Sequence, residues 1–315
     1  MTTAFVFPGQ GSQDVGMGRA LAERFASARA VFEEVDAALG EPLSRIMWEG
    51  PKDTLTLTEN AQPALMAVSL AAVRVLEVEF GVKVAERAKF VAGHSLGEYS
   101  ALAAAGTFSI ADAARLLKTR GQAMQRAVPV GEGAMAALLG VGVDVGRKLA
   151  EAASQGEVCQ VANDNEPGQV VISGAKSAID RAAGLAKEHG VRRFLPLTVS
   201  APFHCALMQP AADVMAEALA AVAMKAPVVP VVSNVLAAAI SDPAEIRTRL
   251  VEQVTGTVRW RECVSYMAAN GVTQLCEIGS GKVLTGLARR IEGALTALSV
   301  GTSEEAEAVA KALTQ

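Results

Sequence analysis

The segment Gly93-His94-Ser95-Leu96-Gly97 carries a G-x-S-x-G pattern. It follows a short apolar run, Phe90-Val91-Ala92, and precedes a helix-forming stretch from Glu98 to Ala105. Between a strand and a helix, this pattern is typical of a nucleophile elbow, a tight turn that projects a serine hydroxyl out of the sheet. Neighbouring backbone passes too close to the two glycines for a Cβ atom. We therefore predict that Ser95 is a nucleophile and that the elbow joins a buried strand to a helix.

A serine nucleophile needs a base, and the chain has only three histidines. His189 ends a predicted helix, where a cation suits the negative end of the helix dipole. His94 is adjacent to the serine, so its side chain should leave the turn in a different direction. His204 lies in the loop Ser200-Ala201-Pro202-Phe203-His204-Cys205, where the chain re-enters its main domain. We predict that His204 faces a cleft and acts as the base; the alternative is a packed or exposed histidine.

A single arginine lies among apolar residues on a predicted helix from Ala111 to Ala127. Leu116 and Leu117 precede Arg120 by four and three residues, and Met124 follows it by four. Residues at this spacing share one helix face, so Arg120 should point inward. The alternative is an arginine at the edge of the stripe whose charged end reaches water.

Short apolar strands alternate with helices along most of the chain. The first predicted strand, Ala4 to Phe7, stops at Pro8 and leads into a loop containing Gln10, at the edge where open α/β sheets bind ligands. The region from Gly133 to Thr198 instead has the order β-α-β-β-α-β, which is typical of a ferredoxin-like unit. We predict an α/β protein with a parallel-sheet core over residues 1–128 and 199–315 and an inserted ferredoxin-like subdomain over residues 129–198.

The composition excludes several other classes of protein. At 51% hydrophobic, 20% charged and 4% aromatic residues, the 315-residue chain is globular and large enough for a sizeable core. Its net charge of −4 argues against a nucleic-acid-binding surface. The four cysteines show no metal-ligand spacing, so free thiols and no metal are expected. With no signal segment and no apolar run of membrane length, we expect a cytoplasmic protein that binds no membrane.

Two glycine-rich loops fail the tests for nucleotide binding. A dinucleotide fingerprint starting at Gly9 requires glycine at position 14, where the chain has Asp14. The loop from Gly279 to Val283 suggests a phosphate loop, but Cys276 and Val283 occupy positions that need glycine and Ser or Thr. Nicotinamide and nucleoside-triphosphate chemistry are therefore not supported.

Six blocks of sequence, in order, resemble the malonyl-CoA:acyl carrier protein transacylase family. The resemblance runs from residue 4 to about residue 300, and its blocks are Phe7-Pro8-Gly9-Gln10-Gly11-Ser12-Gln13, Gly93-His94-Ser95-Leu96-Gly97-Glu98, the helix around Arg120, Asn163-Asp164-Asn165-Glu166-Pro167-Gly168-Gln169, Pro202-Phe203-His204, and Glu277-Ile278-Gly279-Ser280-Gly281-Lys282-Val283-Leu284. The fold that the resemblance implies, an α/β-hydrolase-like core with a ferredoxin-like insert, agrees with the organisation inferred above.

The resemblance also implies a role for individual residues. Ser95 would carry the acyl group, His204 would be its base, and Gln10 with the Leu96 backbone N–H would form the oxyanion hole. A backbone carbonyl, by position that of Gln253, would orient the histidine. Residues of the substrate site would be Arg120, which would bind the malonyl carboxylate, together with His94, Asn163 and Phe203.

The implied reaction is malonyl transfer from malonyl-CoA to the phosphopantetheine thiol of acyl carrier protein, for fatty acid synthesis, through a malonyl-serine ester. No metal or redox cofactor is required, and we expect a monomer. A polyketide carrier protein is an alternative acceptor. A serine thioesterase or hydrolase is a weaker alternative, because such enzymes usually place the histidine near the C-terminus. A non-catalytic carrier-binding scaffold is disfavoured by the intact candidate residues.

The acyl carrier protein family is acidic, whereas this chain is itself negative overall. We therefore expect docking to use a local cluster of cations beside the cleft. The candidate cluster consists of Lys187, Arg192 and Arg193 on the predicted insert and Lys282, Arg289 and Arg290 on the core. Each could instead belong to an ordinary solvated surface.

Overall fold

A computed structural model describes residues 1–314. Its ten strands are β1 Thr3–Phe7, β2 Ala88–Gly93, β3 Gly133–Leu139, β4 Cys159–Glu166, β5 Gln169–Ala175, β6 Arg193–Pro196, β7 Val231–Val232, β8 Ala239–Ile240, β9 Gln274–Ile278 and β10 Thr296–Val300. Its α-helices are α1 Arg19–Arg24, α2 Ala26–Leu39, α3 Leu43–Glu49, α4 Lys52–Thr56, α5 Thr58–Val78, α6 Val84–Arg87, α7 Gly97–Ala104, α8 Ile110–Ala127, α9 Val143–Ser154, α10 Lys176–Leu185, α11 Gln209–Ala220, α12 Pro243–Thr255, α13 Trp260–Ala269, α14 Val283–Ile291 and α15 Ser303–Thr314.

The larger sheet has six strands in the order β10-β9-β1-β2-β7-β8. All its neighbours are parallel except the short edge pair β7 and β8. β1 and β2 are adjacent at the centre, with Phe7 paired to Gly93 at their carboxyl ends. Because the carboxyl ends of parallel strands share one edge, the loops that begin at Pro8 and His94 emerge side by side.

The smaller sheet has four antiparallel strands in the order β4-β5-β3-β6, with α9 and α10 packed on it. The chain order β-α-β-β-α-β and this strand order together make the ferredoxin-like arrangement. A separate apolar cluster, which includes Leu138, Leu149 and Ile172, fills the space between the sheet and its two helices. The predicted fold class, a parallel-sheet α/β core with a ferredoxin-like insert, is confirmed.

Helix α5 is more apolar over its length than we expected of any segment of this chain. Its length and apolar composition would suffice to cross a membrane, although we expected no such run. However, 83% of its most apolar window is buried inside the protein. The helix packs against α2, α7 and α8, so its apolar surface belongs to the main core.

Several element boundaries also differ from expectation. Two short helices, α3 and α4, which the sequence analysis did not identify, lie between α2 and α5. The strand expected from Ala134 to Val143 ends at Leu139, because Gly140 adopts a left-handed φ of 87°. Only Val231 and Val232 of the apolar run Val228–Val232 pair in the sheet.

Candidate active site

The turn at the end of β2 has a backbone geometry that few residues adopt. Ser95 has a φ of 53°, in the left-handed region. A Cβ on Gly93 would lie 1.9 Å from the carbonyl carbon of Gly97, and one on Gly97 would lie 2.3 Å from the carbonyl oxygen of Phe7. Both glycines are therefore required by direct contact between backbone segments, as expected of a nucleophile elbow.

Ser95, His204 and Gln253 form a hydrogen-bonded chain. Ser95 Oγ lies 2.8 Å from His204 Nε2, and His204 Nδ1 lies 2.9 Å from the carbonyl oxygen of Gln253. A carbonyl can only accept, so Nδ1 must carry the proton of a neutral ring and Nε2 is left to accept from the serine hydroxyl. His204 also has a left-handed φ of 58°, so both ends of the Ser–His contact lie on strained backbone.

The carbonyl of Gln253 belongs to the last turn of α12. The last four carbonyls of a helix have no intrahelical donor, which leaves this oxygen free for the histidine. The helix C-terminus also carries partial negative charge, which favours an imidazolium when the ring takes up a proton. In this way a helix end can do what an acidic side chain does in other serine enzymes.

Burial keeps the imidazole of His204 neutral. The ring is 4% exposed. Burial first, and then the nearby Arg120 cation, lower the pKa of His204 to about 3. The ring is therefore unprotonated at neutral pH and can accept the serine proton.

Two backbone N–H groups beside Ser95 could stabilise an oxyanion. Gln10 and Leu96 both line the cavity into which Ser95 projects. Within residues 1–314, neither N–H donates to another protein group. The side chain of Gln10 is held to one side, since its Oε1 accepts from the Thr58 hydroxyl at 3.0 Å. Unpaired donors that face a cavity are suited to charge that develops during a reaction.

Arg120 points inward, as its apolar helix neighbours predicted, and is 1% exposed. Its Nη2 lies 3.2 Å from Ser95 Oγ, while Nη1 donates to Gln62 Oε1 at 2.7 Å. Its Nε is buried without an acceptor. The guanidinium also lies over the ring of Tyr99 at 5.7 Å. A buried cation with a spare donor beside a candidate nucleophile is suited to bind an anionic group.

The remaining candidate residues surround the same cavity. His94 turns away from the serine, and its Nε2 contacts Asn165 Oδ1 at 2.9 Å while its ring packs on Trp260. Asn163 and Phe203 line the cavity from the small subdomain and from the loop before His204. Gln253 is fully buried behind it. The structure thus brings all nine residues together around Ser95.

Three further residues in contact with the site were not given a role from the sequence. Asn234 accepts from the Ser95 N–H at 2.8 Å and donates to the Gly93 carbonyl at 2.7 Å. Gln62 contacts Arg120, and Glu98 accepts from the Gln253 amide at 2.7 Å. Burial raises the pKa of Glu98 to about 7. Glu98 belongs to the sequence block that begins at Gly93, whereas no local sequence pattern marks Asn234 or Gln62.

The cavity around Ser95 has a volume of about 320 Å³, and every candidate residue except Gln253 contributes to its lining. Residues 1–314 contain no group of three or more His, Cys, Asp or Glu side chains arranged to hold a metal ion. The arrangement offers a candidate nucleophile in Ser95, a neutral imidazole that can act as a base, two free N–H donors and a buried cation. Together these can transfer an acyl group that carries a negative charge.

Comparison with known proteins agrees with this geometry. Residues 4–294 match the acyl transferase domain family. A malonyl CoA-acyl carrier protein transacylase of Escherichia coli strain K12 is 48% identical over 310 residues, which cover 98% of each chain. The chain belongs to the malonyl-CoA:acyl carrier protein transacylase family. The resemblance inferred from the six sequence blocks is confirmed.

Solved structures of transacylases share the whole fold. An acyl-carrier-protein S-malonyltransferase from Bartonella henselae is 58% identical, with a TM-score of 0.97 and full coverage of both chains. A malonyl-transacylase solved in complex with a holo type II polyketide acyl carrier protein is 42% identical, with a TM-score of 0.95, covering 99% of this chain and all of the other.

The lowered pKa of His204 predicts an unusual pH dependence for this member of the transacylase family. A base is active when unprotonated, so a pKa near 3 keeps it active well below pH 6. We expect the rate of Ser95 acylation by p-nitrophenyl acetate to stay level from pH 8 to pH 5.5. A histidine with an ordinary pKa of about 6.5 would lose roughly tenfold over that range. The Ser95→Ala variant supplies the background rate, and a decline centred near pH 6.5 would contradict the prediction.

Proposed function

We propose that this chain transfers the malonyl group of malonyl-CoA to the phosphopantetheine thiol of acyl carrier protein, in fatty acid synthesis, through a malonyl ester on Ser95. The observation that carries the proposal is the position of Ser95 Oγ, 2.8 Å from the base His204 and 3.2 Å from the buried cation Arg120. The names of the relatives supply the donor and acceptor that fit this arrangement.

The first half-reaction forms the ester. Ser95 Oγ attacks the thioester carbonyl of malonyl-CoA while His204 Nε2 takes the hydroxyl proton. The carbonyl oxygen becomes an oxyanion that accepts hydrogen bonds from the N–H groups of Gln10 and Leu96. When the intermediate collapses, the carbon–sulfur bond breaks, His204 returns its proton to the CoA sulfur, and CoA leaves as a thiol.

The second half-reaction runs the same steps in reverse with another thiol. His204 takes the proton of the phosphopantetheine thiol as its sulfur attacks the Ser95 ester. The ester bond breaks, and the proton passes to Ser95 Oγ. Because one product leaves before the second substrate binds, the kinetics are ping-pong. The thioester is already activated, so we propose that the enzyme needs no cofactor of its own beyond these side chains and N–H groups.

Arg120 accounts for the choice of a malonyl group. A guanidinium matches a carboxylate geometrically, and a hydrogen bond to a charged group contributes about 1.5–3 kcal/mol. A neutral acyl group leaves the buried cation without a counter-charge, so it is selected against. Phe203 lines the cavity beside His204 and would crowd a branched acyl group.

Other features of the proposal rest on separate observations. All four cysteines are free and buried, which suits a reducing compartment such as the cytoplasm. All nine candidate site residues come from one chain, so a monomer suffices for activity. The neighbour solved with a polyketide carrier protein makes malonyl loading for polyketide synthesis the second candidate function.

Covalent loading of Ser95 is the direct test of the proposal. After mixing with malonyl-CoA and without carrier protein, we expect the intact mass of the protein to rise by roughly 86 Da, the mass of a malonyl ester on the nucleophile. Ser95→Ala should show no adduct and should lose transfer on the order of 10⁶-fold in kcat. If carrier protein is then added and the malonyl group is released to water instead of being transferred to its thiol, the protein is a thioesterase. A stable adduct on Ser95→Ala would place the nucleophile elsewhere.

Substitution of Arg120 should change which acyl group is transferred. In Arg120→Ala we expect malonyl transfer to fall and transfer of acetyl groups to rise relative to it, because the buried cation is gone. Arg120→Lys should restore only part of the preference, since an ammonium lacks the planar fork. The measurement is the ratio of kcat/KM for malonyl-CoA to that for acetyl-CoA. An unchanged ratio in Arg120→Ala would show that another group holds the carboxylate.

The six candidate cations for carrier docking differ in whether they already form a salt bridge. Lys282 pairs with Glu305 at 2.6 Å, and Arg290 pairs with Glu166, so both already have a counter-charge. Among the described residues, four of the six cations are exposed and form no salt bridge: Lys187, Arg192, Arg193 and Arg289. An acidic carrier protein would meet these four with the least competition.

Charge reversal at the four unpaired cations tests their role in docking. We expect Lys187→Glu, Arg192→Glu, Arg193→Glu or Arg289→Glu to raise the KM for carrier protein at low salt and to leave malonyl loading of Ser95 unchanged. Arg87→Glu is the matched control, because Arg87 is exposed but precedes β2 and so lies at the opposite edge of the sheet. Unchanged carrier kinetics at all four positions would reject this docking site.

A further inference from the structure

The side chain of Gln253 has contacts that its backbone role does not explain. Its carbonyl oxygen orients His204, and any residue at this position could provide that contact. Its amide group is also completely buried. Nε2 donates to the carbonyl oxygen of Ser95 at 3.0 Å, and Oε1 accepts from Arg120 Nη2 at 2.9 Å. One side chain therefore joins the peptide of the nucleophile to the buried cation.

The orientation of this amide follows from its neighbours. The Ser95 carbonyl can only accept and the Arg120 guanidinium can only donate, so Nε2 must face the serine and Oε1 the arginine. The second hydrogen of Nε2 has an acceptor in Glu98 Oε2 at 2.7 Å. Glu98 also accepts from the Asn234 N–H at 3.1 Å, which holds the carboxyl in place. Buried polar groups with all partners present give a single, rigid arrangement.

The hydrogen bond to the Ser95 carbonyl also fixes the direction of the Leu96 N–H, a proposed oxyanion donor, because the two groups share one planar peptide bond. The carbonyl of Ser95 and the N–H of Leu96 belong to the same peptide bond, and in a trans peptide they point in opposite directions. The Ser95 carbonyl accepts from Gln253 Nε2 and from the Glu98 N–H, each at 3.0 Å, and its direction aims the Leu96 N–H the other way, toward the cavity that Leu96 lines. Asn234 fixes the preceding peptide by accepting from the Ser95 N–H.

We propose that the side chain of Gln253 is a positioning residue that aims the Leu96 oxyanion donor and holds Arg120 beside the nucleophile. It acts on the stabilisation of the transition state through the first contact and on recognition of the acyl carboxylate through the second. This inference rests on the proposed acyl-transfer function. The effect of Gln253 on the Leu96 N–H, however, applies to any acyl group that Ser95 attacks, and not to malonyl groups alone.

Gln253→Met tests both contacts, because methionine has a similar length but neither donates nor accepts strongly. An oxyanion donor contributes on the order of 10²- to 10³-fold, so a misaligned one should slow Ser95 acylation by at least about tenfold. We expect this loss with p-nitrophenyl acetate, which has no carboxylate for Arg120, as a fall in kcat rather than a rise in KM. The ratio of malonyl-CoA to acetyl-CoA turnover should fall as well.

Two other glutamines separate this role from general effects of substitution. Gln62 contacts Arg120 but not the Ser95 peptide, so Gln62→Met should affect the malonyl-to-acetyl ratio more than acylation by p-nitrophenyl acetate. Gln125 donates to the Ser200 carbonyl, has no contact with Ser95 or Arg120, and has a buried Oε1. Gln125→Met is the matched control for a buried Gln-to-Met change and should acylate at the wild-type rate.

Thermal melting identifies a variant that fails to fold, and Gln253→Ala, which leaves room for water, provides a second test with the same expected loss. Wild-type acylation rates in both Gln253 variants, or an equal loss in Gln62→Met, would overturn the positioning role. If the wild-type protein acylates Ser95 with p-nitrophenyl acetate but transfers no malonyl group, the proposed function fails while the first contact of Gln253 can still be measured.

Discussion

The close approach of three backbone segments at the end of β2 is the constraint on which the site depends. The elbow lies so near the end of β1 that a Cβ on Gly97 would meet the Phe7 carbonyl oxygen, and a Cβ on Gly9 would lie 2.7 Å from the carbonyl oxygen of His94. These contacts bring the Gln10 loop and the Ser95 turn together. Because the parallel strands β1 and β2 end at the same edge of the sheet, Ser95 and the Leu96 N–H after β2 lie beside the same cavity as the Gln10 N–H after β1.

Strain at Ser95 requires that the surrounding groups hold the turn in place. Left-handed φ values in residues other than glycine cost of the order of 1–3 kcal/mol. Here the N–H of Ser95 is bound by Asn234, its carbonyl by Gln253, and the carbonyl of Gly93 by Asn234. Both polar groups of the Ser95 backbone are therefore bound by buried side chains, and its carbonyl also accepts from the Glu98 N–H at 3.0 Å. These hydrogen bonds offset part of the cost of the left-handed backbone at Ser95.

The sequence predicted the residues that carry local signals. The spacing of glycines marked Ser95, the scarcity of histidines singled out His204, and the apolar helix face indicated the inward position of Arg120. The order of strands and helices along the insert, β-α-β-β-α-β, could be predicted from its local sequence patterns. In contrast, Asn234 contacts a serine 139 residues away, and Gln62 contacts an arginine 58 residues away. Such partners are set by how helices and sheets pack, and a single sequence carries no periodic trace of them.

The contacts around Arg120 also explain how a buried cation is kept without a buried counter-anion in direct contact. Burial lowers the pKa of the guanidinium, although not enough for an arginine to lose its proton. Glu98 is the nearby acid, but the amide of Gln253 lies between the two, donating to one and accepting from the other. A direct Arg–Glu pair would satisfy the guanidinium and weaken its attraction for a substrate carboxylate. Separation by a neutral amide instead leaves Arg120 without a counter-charge in direct contact and with no acceptor at Nε, so the guanidinium keeps its capacity to attract an anionic group.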